Sequence, residues 1–204
     1  WGPPFASATE HAHGACAAAL EQFIQLERLR RRMPDLLGIR KGLPAVNIRV
    51  GLATGEVIVG NIGTEHSMSY TIMGEPTSIA EQLESLNKTY GTQILMTEAT
   101  RQLVAETFET RKIDVIRLGS AQQSGPIFEL LSPKGELDPD TAEMRGSFEE
   151  GLRLYASQAW DQAQRHFATC LRIKHDDRPA TLYGQRVQHL CAHPPGDDWD
   201  GVWT

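Results

Sequence analysis

Apolar positions along the 204-residue chain change their period several times, and each change marks an element. Over residues 8–33, Ala12, Ala15, Cys16, Ala19, Leu20, Phe23, Ile24, Leu26 and Leu29 recur at helical spacing. Thr9 is the expected N-cap, and Arg28, Arg30, Arg31 and Arg32 sit where the helix dipole favours cations. That arginine run reads as a solvated helix end rather than a phosphate site. Pro34 and Gly38 then open a loop reaching Pro44. Residues 46–53 alternate, with Val46, Ile48, Val50 and Leu52 on one face. Residues 57–62 form a second strand-like run, close enough to the first to predict a hairpin between them. A third strand is predicted over 68–73. Gly74 ends it, and Pro76 suits the first turn of a helix. Ile79, Leu83 and Leu86 share one face of that helix as far as Tyr90, where Gly91 is a stop.

Residues 92–96 predict a short strand, Thr97 or Glu98 opens a helix to about Thr107, and two strands follow, one through Ile113, Val115 and Leu118 and one over 127–131. This mixed order points to an α+β or α/β layer fold with helices packed on a sheet. Residues 132–140, SPKGELDPD, read as a polar linker with two prolines. Beyond it, Phe148, Leu152, Leu154, Tyr155, Trp160, Ala163, Phe167, Cys170 and Leu171 predict two helices, and a third runs over 179–190. Gly151, Ala163 and Phe167 have the spacing of one tetratricopeptide unit, which cannot bury both its faces alone and should pack on something else. The terminal PPGDDWDGVWT reads as a flexible aromatic tail. Trp199 and Trp203 are expected to dock on the helices or on a partner.

Composition narrows the field. The formal net charge is −6, with 40% apolar and 23% charged residues, so a disordered or collagen-like chain is excluded. A net acidic chain is a poor generic binder of nucleic acid, and no apolar run approaches the ~18 residues needed to cross a bilayer. The chain begins with Trp1 and lacks a signal-peptide pattern, so it reads as a fragment or a processed product. Three widely spaced cysteines, Cys16, Cys170 and Cys191, indicate neither a disulfide framework nor a zinc site and suit a reducing, cytosolic setting. Cys16 and Cys170 fall in helical stretches and read as buried, inert thiols. No phosphate-binding GxxxxGK[ST], HExxH, GxSxG or EF-hand pattern occurs. His11 and His13 fall on different helical faces, and Asp197, Asp198 and Asp200 read as an exposed acidic tail.

The most specific stretch is NIRVGLATGEVIVGNIG, from Asn47, followed by SMSYTIMGEPTSIAEQLESLNKTYGTQILMTEAT, ending at Thr100. It resembles the second half of a class III nucleotidyl cyclase domain, whose pattern is RVGI-x-TG-x-VVVGNIG, then YT-x-IGD-x-VN-x-A-x-RLE-x-LNK-x-YGT-x-I. The leading WGPP with His11, Ala12, Ala15 and Cys16 resembles the family's FWG-x-P and H-A-x-x-A-C run. The resemblance covers about residues 1–131, and the helical part resembles the C-terminal extension of bacterial cyclases that carry an extracellular sensor upstream. It implies an α+β fold, a ferredoxin-like cyclase sheet with packed helices followed by a small all-α tetratricopeptide-like extension. The implied division is a partial cyclase domain at 1–131, a linker at 132–140, the helical extension at 141–193 and the tail at 194–204.

The resemblance also implies a mechanism. Two such domains pair head to tail around a shared cleft. One supplies two aspartates that hold two divalent metals, Mg2+ or Mn2+. The other supplies a purine reader, a ribose-contacting Asn and an Arg for the reacting phosphate. The ribose 3′ oxygen attacks the α-phosphate and pyrophosphate leaves. Thr71 falls at the purine-reading position, where a hydroxyl suits the adenine amino group and favours ATP. It reads also as a plain strand residue. Ser78 falls where the family has the ribose-contacting Asn, and Gln82 where it has the catalytic Arg. Both read equally as bland helix-surface residues. The family's phosphate-binding Lys should lie near 118–122, a stretch with no Lys or Arg. The metal aspartates lie upstream of the FWG motif, so the expected metal ligands fall before residue 1. The expectation is therefore part of a bacterial adenylate cyclase making cyclic AMP from ATP, paired with a second protomer. It would not touch nucleic acid or membrane directly, and would be cytoplasmic or the cytosolic part of a membrane-anchored parent. The alternative is an impaired pseudo-cyclase with a regulatory or dimerisation role.

Overall fold

The computed structural model describes residues 2, 6–7, 10–39, 41–43, 45–64, 67–120, 123–196 and 199–203. Expectations resting on Trp1, Thr9, Pro44, Gln122, Asp197 and Asp198 lie outside the described residues. The first helix, α1 (His11–Leu37), buries Ala12, Cys16, Ala19, Leu26 and Met33. It runs through Pro34, against the expectation of a loop there, and stops at Gly38 (φ 65°). A proline so near the end removes one backbone donor in an exposed last turn, where water can satisfy the freed carbonyl. Arg30 is tied down, donating to Val46 O at 2.7 Å and to Asn47 Oδ1 at 2.6 Å.

Three strands follow, β1 (Val50–Leu52), β2 (Ile58–Thr64) and β3 (Ser67–Met73), then α2 (Glu75–Tyr90), β4 (Ile94–Thr97), α3 (Glu98–Val104), β5 (Phe108–Leu118) and β6 (Gln123–Pro133). The predicted hairpin between residues 46–53 and 57–62 does not form. Instead β1 lies parallel to β4, and β2 pairs antiparallel with β3, Gly60 opposite Thr71. The reason is α2. Its backbone lies directly on β1, where a Cβ at Gly51 would collide with Ala80 O and fall 2.7 Å from Glu84 N. That contact makes β1, α2 and β4 a crossover unit, which requires parallel strands. The main sheet has the order β1-β4-β6-β5, and the β2–β3 hairpin stands apart as its own two-stranded sheet.

The sheet is covered on both faces. On β4, Ile94 and Met96 join Cys16 and Ala19 of α1 and Val104 of α3. Leu95, pointing the other way, joins Leu83 and Tyr90 of α2, Ile113 and Ile127. A central strand buried on both sides reads as an unbroken apolar run, as ILM does. Burial pushes the Cys16 thiol up to about 12 and the Cys170 thiol up to about 11, so both are inert at neutral pH.

Three helices complete the chain, α4 (Pro139–Ala156), α5 (Trp160–Ile173) and α6 (Arg178–Ala192). The expected linker over 132–140 is shorter than predicted, because β6 continues to Pro133 and α4 already begins at Pro139. Asp138 caps α4 through Thr141 N at 2.9 Å. The helices share a core of Phe148, Tyr155, Phe167, Cys170 and Tyr183, with the Phe167 ring against Gly151. The tail docks on the helices: Trp199 meets Tyr155 and Trp160 at ring separations of 5.1 and 5.5 Å, and Val202 is buried. Asp200 pairs with Arg117 at 3.5 Å. The described residues include no helix long and apolar enough to cross a membrane.

Candidate functional site

The sequence of α2, EPTSIAEQLESLNKTY, writes two stripes on one helix. Ile79, Leu83, Leu86, Asn87 and Tyr90 face the sheet. Glu75, Ser78 and Gln82, spaced by three and four residues, share the outer face. The helix starts directly from β3 through Gly74, whose carbonyl accepts from Thr77 N at 3.1 Å and Thr77 Oγ1 at 2.6 Å. Ser78 and Gln82 are exposed and one turn apart, Ser78 in the first turn of α2 and Gln82 at mid-helix.

The turn after β5 borders this outer stripe at Glu75 and Gln82. Gly119 N donates to Gln82 Oε1 at 3.2 Å. Ser120 N and Oγ both donate to Glu75 Oε1, at 3.2 and 3.1 Å. The Gln82 amide oxygen thus accepts a backbone hydrogen bond, which a guanidinium, carrying donors only, cannot do. The basic residue preceding this turn, Arg117, reaches Asp200 of the tail. Thr71 lies elsewhere. It is half-buried on β3, and alternation puts it on the opposite face from Tyr70 and Ile72. The structure brings Ser78 and Gln82 together and leaves Thr71 on the hairpin, with no hydrogen bond to either among the described residues.

Beside the hairpin lies an open cleft of about 1700 Å³, bounded by Glu10, His11, Glu56, Tyr70, Ile72 and Gly74. The hairpin around it is apolar yet exposed: Ile58 is 72% accessible, Met68 63% and Tyr70 74%. Among the described residues, no group of three or more His, Cys, Asp or Glu could hold a metal ion.

Two anchors of α2 escaped the sequence reading. Asn87 Nδ2 donates to Val50 O at 3.0 Å and Leu83 O at 2.9 Å, while its Oδ1 accepts from Thr92 Oγ1 at 2.8 Å. An amide on the apolar stripe, one turn after Leu83, was the available signal. The second anchor is Tyr90, whose hydroxyl donates to Asp114 Oδ2 at 2.5 Å. Burial and then the Asp114 charge push this phenol above its ordinary range. Gly91 takes the left-handed conformation (φ 67°) and ends α2 there.

A family model described as "Adenylate and Guanylate cyclase catalytic domain" matches residues 7–128. The chain is 29% identical over 152 residues to "Adenylate cyclase, terminal-differentiation specific" of Dictyostelium discoideum, an alignment covering 72% of this chain and 7% of that protein. It is 30% identical over 131 residues to "Adenylate cyclase 1" of Rhizobium meliloti (strain 1021), covering 64% of this chain and 19% of that one. The chain thus spans less than a fifth of each of these relatives. Among solved structures, the adenylyl cyclase CyaB from P. aeruginosa superposes with a TM-score of 0.55 at 24% identity, covering 68% of each chain. The guanylyl cyclase Cya2 superposes with a TM-score of 0.52 at 23% identity, covering 68% of this chain and 66% of the other. These two likenesses bear on the fold.

Proposed function

The chain belongs to the adenylate and guanylate cyclase catalytic domain family, and on that premise we propose that it carries the nucleotide-gripping half of an adenylate cyclase site. In this reading ATP lies along the outer stripe of α2. The ribose 3′ hydroxyl gives up its proton to water, its oxygen bonds to the α-phosphorus, and the bond from that phosphorus to the oxygen bridging to the β-phosphate breaks, leaving cyclic AMP and pyrophosphate. Ser78 would offer a hydroxyl to the ribose, the Gln82 amide a donor to the reacting phosphate, and Thr71, on the hairpin, a hydroxyl to the purine. The family uses a divalent metal and works as dimers; here the Mg2+ or Mn2+ ligands would come from outside the described residues. The second protomer would cover the apolar hairpin, where Ile58 and Tyr70 stand in water. The observation that carries the reading is the exposure of Ser78 and Gln82 on one face of α2. The relatives called adenylate cyclase support ATP as the nucleotide.

A specific observation favours slow turnover or none. Gln82 accepts from Gly119 N, and no Lys or Arg lies in 118–122. Losing one transition-state donor costs about 10²- to 10³-fold in rate. The test follows cyclic AMP formed from ATP and Mn2+ by the intact protein. A rate within tenfold of a typical family member rejects the pseudo-cyclase alternative. A null rate that recovers in a Ser78→Asn, Gln82→Arg double variant locates the defect in α2.

A further inference from the structure

The buried side of β5 is unusual in its chemistry. Asp114 is 1% exposed, and the register irregularity between Lys112 and Asp114 sits just before it. Its carboxylate accepts four hydrogen bonds: from Tyr90 Oη of α2, from Tyr183 Oη of α6 at 2.6 Å, from Arg186 Nη1 of α6 at 2.7 Å and from Val115 N at 2.7 Å. One carboxylate thus joins two helices that lie far apart in sequence. Arg186 is the cation that offsets its charge, and it also lies over the Tyr183 ring at 4.7 Å. Leu182 packs into the core formed by α2 and the sheet, and the Arg178 side chain lies against Gly91. Helix α6 therefore crosses the C-terminal end of α2.

The other end of α2 is held by the same strand. The turn at the tip of β5 carries the Gly119 and Ser120 contacts to Gln82 and Glu75. Further back, β5 is fixed to the helical extension by Arg111, which pairs with Asp177 at 2.9 Å and lies over the Phe148 ring at 5.0 Å, and by Glu109, which binds Arg145. Strand β5 is thus gripped by the extension along its buried length and itself grips both ends of α2.

We propose that the helical extension sets the position of α2, and with it Ser78 and Gln82, through the buried carboxylate of Asp114. Tyr90, Tyr183 and Arg186 are then positioning residues, acting through Asp114 rather than on the nucleotide. The proposal rests on the nucleotide reading for its consequence but not for its mechanics. A seam that only glued two bodies together could be apolar. Buried acid–base contacts fix one register instead, because any shift leaves a charge unpaired.

Hydrogen exchange and ATP titration on the intact protein test it together, using Tyr90→Phe and Tyr183→Phe, which remove one hydroxyl each, and Arg186→Met as the stronger change. The expected result is exchange about tenfold faster over 78–83 in each variant, with α1 and the β2–β3 hairpin unchanged. Binding of ATP with Mn2+ should weaken about five- to tenfold, and the Tyr90→Phe, Tyr183→Phe pair should be less than additive. Faster exchange confined to 86–90 and 183–190, with ATP affinity unchanged, would overturn the proposal. If the wild-type protein binds no ATP, the nucleotide reading fails and the exchange over 78–83 alone decides the coupling.

Discussion

Two surfaces of this chain handle burial in opposite ways. The β2–β3 hairpin puts Ile58, Met68, Tyr70 and Ile72 into water, with each more than half exposed. The outer strand β5 does the reverse and buries Glu109, Arg111 and Asp114 against the helical extension. The hairpin's apolar side chains have no cover within the described residues, whereas the β5 charges have their partners in the same chain. Water is a poor solvent for the first surface and the better solvent for the second. The contrast teaches that the seam to the extension pairs its charges within the chain, while the hairpin leaves its apolar side chains uncovered among the described residues. On the proposed reading a second protomer covers it.

The contrast can be broken by substitution. Asp114→Ala should cost about 3 to 5 kcal/mol, because Arg186 and the two tyrosine hydroxyls lose their shared acceptor in a buried place. Chemical denaturation of the intact protein checks it, and a loss below 1 kcal/mol would make the cluster incidental. Gly51→Ala comes next, at about 1 to 3 kcal/mol, since its methyl must push α2 off β1. Thermal unfolding would read this, with Gly146→Ala as a control at a helical position with open space.

Glu109 supplies a smaller, pH-dependent effect. Its hydrogen bond from Arg145 holds the carboxyl below its ordinary value of 4.5. Its contribution is therefore complete above pH 4.5 and is lost as pH falls through the lower folded-state value. In Glu109→Gln the loss of stability between pH 4.5 and lower values should be shallower than in the wild type, with the slope from pH 7 to 9 unchanged. An unaltered acid limb would show that Glu109 does not matter there. The smallest effect on stability belongs to the hairpin. Ile58→Ser with Tyr70→Ser should shift folding by no more than about 0.5 kcal/mol per site. The same pair should abolish self-association in sedimentation. Retained association would place the protomer contact elsewhere.

The elements that the sequence reveals are those with one dominant period. The inner stripe of α2, the stop at Gly91 and the strand–glycine–helix passage through Gly74 were all legible. Strand pairing was not. Nothing local distinguishes residues 53–57 as a passage between sheets from a hairpin turn, because the deciding contact is Ala80 of α2 on Gly51. The tail was legible in part: its tryptophans announced docking, but not on which surface. The site divides similarly. Ser78 and Gln82 share a face by spacing alone, while the hold on Gln82 by Gly119 joins residues 37 positions apart. Asp114 was invisible, because its four donors come from α2, α6 and its own strand.

The proposed function requires ATP on the outer face of α2. Equilibrium titration of the intact protein with ATP and Mn2+, comparing wild type with the Ser78→Asn, Gln82→Arg variant, tests this most directly. Restoring an amide and a guanidinium should tighten binding about tenfold or more, at about 1.4 kcal/mol per tenfold. Affinity that is absent in both proteins, or identical in both, would contradict it.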